Sequence, residues 1–205
     1  LPLCFLALSV VGLQAQVVVD PPKTLKGSKA EVTCLAVAPK GDRVLVGTDK
    51  GAELLDINTG KRVHAFPFSE DKGTAVYHCA FNDNGEYVVL IGATGKRQVC
   101  DVVRRLRLSG EQIDAVRVRD MGLTIKNSSF DRFYQQTEAK QGTVIAKADR
   151  NGSVVFTDAE GGALQTLTYA TNKDQHHRAP VLFHEDRFLT GTDDGRVLIY
   201  DLVAR

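Results

Sequence analysis

Tryptophan is absent from the 205 residues and methionine occurs once, so no function that needs an indole has its residue here. Neither sign of charge dominates: 26 Lys and Arg stand against 25 Asp and Glu, for a formal net charge of +1. That balance gives no support to a nucleic-acid groove or a broad basic membrane patch, and neither partner is expected. The densest basic group, Arg104, Arg105 and Arg107, sits beside apolar residues as the solvated edge of a strand does. No C-x-x-C spacing suggests zinc. Of Cys4, Cys34, Cys79 and Cys100, the first lies in the opening apolar stretch and the other three cannot all pair. They sit among apolar strand residues, which reads as buried free thiols, with a Cys79–Cys100 bridge across neighbouring strands as the alternative. Missing too are a Ser-His-Asp set, a phosphate-binding loop and a dinucleotide fingerprint. Helical periodicity is absent except over 130–141, FDRFYQQTEAKQ, which reads as a short helix.

What is present begins with an uncharged run, LPLCFLALSVVGLQAQ (1–16). It is too short to span a bilayer and suits the core of a secretory signal, with 1–15 removed by cleavage before Gln16. The mature chain, 16–205, is then expected to be secreted or periplasmic and free of the membrane. No cysteine follows the cleavage site to carry a lipid. The usual basic leader and an initiator Met are lacking, so the sequence reads as starting a few residues late.

The rest is repetitive. EVTCLAVAPKGDRVLVGTDKGAELLDINTGKRVHAF (31–66) aligns with AVYHCAFNDNGEYVVLIGATGKRQVCDVVRRLRL (75–108), pairing Val32 with Val76, Gly41 with Gly85, Gly47 with Gly92 and Asp56 with Asp101. Segments 146–168 and 189–202 repeat the second half of the unit. The strand-ending aspartates Asp56, Asp101, Asp158 and Asp201 recur 45, 57 and 43 residues apart. A period in the forties fits a unit of four short antiparallel strands. In the first unit these are 32–37, 43–47, 52–56 and 61–66, separated by Gly-containing turns.

GTDDGRVLIYDL (191–202) resembles the signature of the WD-repeat family, through Thr192, Asp193, Gly195, Tyr200 and Asp201. GTDKGAELLDINTGKRV (47–63) is similar, with Leu55 where the family usually has Trp. The resemblance implies an all-β fold: a β-propeller of four WD-repeat-like blades of antiparallel strands, at about 25–66, 67–108, 109–168 and 169–205. Blade four lacks an outer strand, and Val17–Val19 is the candidate to supply it. Two architectures stay open, an open arc of a larger ring and a closed four-bladed ring. The arc is favoured, and it would expose end blades and invite self-association. Family blades also link a loop His, a strand Ser/Thr, a turn Asp and a Trp. Here Ser28 stands at the His position and Trp is missing, so the structural turn residues reduce to Thr48 with Asp49, Thr192 with Asp193, and Asp149.

Chemistry-bearing clusters are few. His176, His177 and His184 are weak candidates for a metal, but adjacent histidines on a strand point to opposite faces. Turn aspartates repeated around a ring stand too far apart for acid–base partnership. No catalytic residue, cofactor or metal is assigned. The resemblance implies a scaffold that binds a protein or peptide partner where inter-blade loops open. Those loops carry Glu70, Asp71, Lys72, His176, His177 and Arg178. The alternative is an exported enzyme or sensor built on the long insert 120–142, in which Asp120, Asp131, Arg132 and Tyr134 would have to converge.

Overall fold

The structure, a computed structural model, describes residues 16–71, 73–108, 136–149, 152–168 and 179–204. Two short strands come first, β1 (Gln16–Val18) and β2 (Lys23–Lys26). The first repeat unit then folds as an antiparallel sheet of β3 (Val32–Val37), β4 (Arg43–Thr48), β5 (Gly51–Asp56) and β6 (Arg62–Phe66). The second is β7 (Val76–Phe81), β8 (Tyr87–Gly92), β9 (Arg97–Asp101) and the very short β10 (Leu106–Arg107). The third is β11 (Glu138–Gln141), β12 (Val144–Ala148), β13 (Val154–Thr157) and β14 (Ala163–Leu167). The last consists of β15 (Val181–His184), β16 (Arg187–Gly191) and β17 (Arg196–Ala204). No helix occurs among the described residues. The helix expected over 130–141 gives way to β11 in its second half, where Lys140 pairs with Ile145; its first half lies outside the described residues.

These sheets are propeller blades, stacked face to face. Side chains alternate across a strand, and both faces of blade one are covered. Val44 and Val46 therefore pack toward blade four with Val32, Leu35, Leu189 and Val197. Leu45, between them, packs toward blade two with Leu54, Phe68, Val76 and Leu90. That two-sided burial explains the unbroken VLV of β4, and a fully buried Val or Leu contributes about 1.5–3 kcal/mol. A third cluster joins blades three and four through Val154, Phe156, Phe188 and Tyr200, with Phe156 set edge-on to Phe188 at 4.8 Å. In space the order is thus blade three, four, one, two. Among the described residues no apolar cluster joins blade two to blade three, which allows an open arc.

Glycine closes the packing at one repeated position. A Cβ on Gly47 would press into Cys34 Sγ, one on Gly92 into Glu70 and Phe68, and one on Gly191 into Val32 and Pro180. The end of the second strand in blades one, two and four thus leaves no room for a side chain.

The N-terminus supplies the edge of blade four, as expected of Val17–Val19, and does so with two strands. Gln16–Val18 pairs with the far end of β17, and Lys23–Lys26 pairs with Arg196–Ile199. Residues 25 and 26, counted with blade one on sequence, belong to blade four. Leu25, 1% exposed, explains the choice: on this sheet it enters the core between blades four and one. Cys34, Cys79 and Cys100 are free and buried. Cys79 meets Cys34 of the neighbouring blade rather than Cys100, because β3 and β7 pack directly together.

Candidate interaction face

Each blade turns from its second strand to its third on one face of the stacked blades, and hydrogen bonds hold these turns. In blade one Thr48 starts the turn: its hydroxyl donates to the Gly51 carbonyl at 3.0 Å and accepts from the Lys50 N–H at 3.1 Å. Asp49 then holds three segments. Its carboxylate accepts from the Glu31 N–H at 3.1 Å, its own N–H donates to the Glu31 carbonyl at 3.1 Å, and its carbonyl accepts from the Thr74 hydroxyl at 2.9 Å. In blade four Thr192 donates to Asp194, and Arg196 forms an ion pair with that same carboxylate at 2.8 Å. Asp194, one residue after the Asp193 of the motif, thus also belongs to this turn. Asp149 caps its own turn, accepting from the Ser153 N–H at 3.1 Å.

Glu70 belongs to the same system. Its carboxylate accepts from the Thr94 hydroxyl at 2.6 Å and from the Thr94 N–H, so the loop entering blade two is tied to that blade's own turn. Glu70 is thus engaged in holding the face, whereas Asp71 beside it is exposed. Lys72, His176, His177 and Arg178 lie outside the described residues, as do Asp120, Asp131, Arg132 and Tyr134. His184 ends β15 on the opposite face, where the first strand turns to the second. Its Nε2 is buried without a hydrogen-bond partner, against the Gly41 turn. Among the described residues no group of three His, Cys, Asp or Glu could hold a metal ion.

Two linking residues escaped the sequence reading. Glu53, 6% exposed, accepts from the Ser28 N–H at 2.8 Å and pairs with Arg62 at 3.1 Å. Gln98 holds the matching place in blade two, three residues before the strand-ending aspartate, and donates to the Pro67 carbonyl at 2.7 Å. Both join the third strand of a blade to the loop that enters it. For Glu53 the signal was a charged residue inside an otherwise apolar strand. On the opposite face the repeated aspartates cap the third-to-fourth turn: Asp56 accepts from the Thr59 N–H at 2.7 Å, Asp101 from the Arg104 N–H at 2.6 Å and Asp158 from the Gly162 N–H at 2.6 Å.

Residues 19–54 match the model of the WD40 family, described as "WD domain, G-beta repeat". The chain carries a WD40 repeat. The matched span covers β2 of blade four and then β3, β4 and most of β5 of blade one, so the WD sequence unit is staggered against the structural blade. That stagger ties neighbouring WD blades together. Comparison with curated proteins gives no match. Among solved structures, "Structure of U3-55K" is similar at 16% identity with a TM-score of 0.38, over 82% of this chain and 47% of that one. The chain thus spans about half the length of that structure, a WD-repeat protein. WD repeats generally serve as scaffolds for protein interaction. Among the described residues, Asp49, Glu53, Glu70 and Gln98 carry the links between loops.

Proposed function

We propose that the chain is an exported WD-repeat scaffold that binds a protein or peptide partner on this face and performs no chemistry of its own. The observation that carries this reading is the use of the face's carboxylates. Asp49, Glu70 and Asp194 are each spent on backbone amides, threonine hydroxyls or an arginine. A face fixed in this way loses little conformational freedom on binding, which is what a docking platform requires. Exposed side chains between the fixed points, Lys50 and Asp71 among them, supply the contacts. Export is the reading of the opening apolar segment.

Capture from the exported fraction tests the proposal. The chain expressed with its native start should yield a mature protein beginning at or near Gln16, which retains a partner saturably. Asp71→Lys with Lys50→Glu should release that partner and leave the melting curve unchanged. Retention of the same partner by the double variant overturns the assignment of the face, and an intact Leu1–Ala15 on the folded product overturns export.

A further inference from the structure

Blade two has an outer strand of two residues where blade one has five. The apolar contact between these blades seals the inner strands, but toward the outside the short β10 leaves a cleft of about 350 Å³. Its walls are aromatic and apolar: Phe66, Phe68 and Cys100 are buried, and His64 stands edge-on to Phe66 at 4.7 Å. Arg105 and Arg107 line it too, both exposed, and no Asp or Glu does. Arg62 and Arg104 nearby are paired with Glu53 and Asp101, while Arg105 and Arg107 have no ion pair among the described residues.

Arg105 is also where the repeat predicts a glycine. It follows Asp101 by four residues, as Gly60 follows Asp56, and the same bond closes both turns: the N–H donates to the aspartate carbonyl at 2.9 Å. Gly60 has φ 70° and Arg105 has φ 60°. The left-handed conformation suits glycine and costs a side chain about 1 kcal/mol or more. Blade two therefore carries a cation at a strained position beside an apolar cleft. The cationic field is felt inside: burial first, and then the charge of Arg105, hold the His64 imidazole below its usual range.

We infer that this cleft between blades one and two is a second binding site, for an acidic peptide segment that sets one apolar side chain in the cleft and its carboxylates on Arg105 and Arg107. A small anion would leave the apolar walls unused, and an uncharged peptide would leave two arginines unanswered. The inference rests on the scaffold reading and adds the class of ligand.

Fluorescence anisotropy of the full chain tests it, with a short fluorescein-labelled peptide of glutamates around a central leucine. This probe should bind at least about tenfold more tightly than an all-glutamate peptide or one with lysines around the leucine. Arg105→Gly with Arg107→Ser should weaken it by about tenfold or more without lowering the melting temperature, since glycine fits the turn. Equal binding by the double variant, or displacement by inorganic phosphate as effective as by the unlabelled peptide, overturns the proposal. Partner capture measured in parallel separates the two readings: peptide failure with capture intact removes the cleft alone, and capture failure with peptide binding intact removes the turn face alone.

Discussion

The side-chain amide of Gln136 pairs with both backbone groups of Leu35, its oxygen accepting from the N–H at 3.0 Å and its nitrogen donating to the carbonyl at 3.2 Å. Its own carbonyl accepts from the Val181 N–H at 2.9 Å, so one residue before β11 reaches the inner strands of blades one and four. Gln136→Met should lower stability by about 1–3 kcal/mol, because two backbone groups lose their partner. Gln136→Glu should lose part of that, since a carboxylate can accept from Leu35 but cannot donate to it. Chemical denaturation of the three proteins orders them.

Glu53 holds its place against burial by two bonds. Glu53→Ala should cost about 1–3 kcal/mol by leaving the Ser28 N–H without its acceptor. Arg62→Ala should cost under about 1 kcal/mol, because that side chain is more than half exposed and water replaces its pairing. A double-mutant cycle showing equal costs would contradict this division.

Gly47 tests the packing between the first two strands of blade one. Gly47→Ala drives a methyl into Cys34 Sγ and should destabilise by about 1–3 kcal/mol. Adding Cys34→Ala should restore part of that loss, and a double variant no more stable than Gly47→Ala alone would count against the contact. Burial pushes the Cys34 thiol well above its usual range, so native protein should resist alkylation there until it unfolds.

Leu25 tests the N-terminal strand. It is 1% exposed between blades four and one, and Leu25→Ala should cost about 2–5 kcal/mol through the cavity left behind. Light scattering should then show more association than in the parent chain, since loosening β2 bares the edge of β17. An unchanged melting temperature and particle size would mean that β2 does not hold the blade.

Asp56 offers a pH test. Bonds from the Thr59 N–H first, and the Thr59 hydroxyl second, hold its carboxyl below the usual carboxylate range. A depressed folded value means stability that is present above the unfolded value and lost as pH falls through the folded one. Thr59→Val removes the hydroxyl bond and keeps the backbone bond, so Asp56 should titrate at higher pH, part of the way to normal. An NMR titration reads the shift directly.

Local rules made much of the fold legible. The spacing of Asp56, Asp101 and Asp158 follows from turns that each need a carboxylate to cap a backbone amide. The strands of blade one were readable because β-branched and aliphatic runs end at Gly-containing turns. The bond from Thr94 to Glu70 was not legible for a physical reason: a charged loop residue gains such a partner only when another turn is brought beside it.

By itself, then, the sequence determined the blades, because strand, turn and cap are settled by residues a few positions apart. Tertiary structure alone decided which strands share a blade and which blades touch. Lys23–Lys26 joins β17 because Leu25 finds its core there, across more than 170 residues of chain. The outer cleft exists because blade two stops its last strand early while Phe66 and Phe68 belong to its neighbour. Contacts of that range depend on how whole sheets stack, and no window of sequence records the stacking.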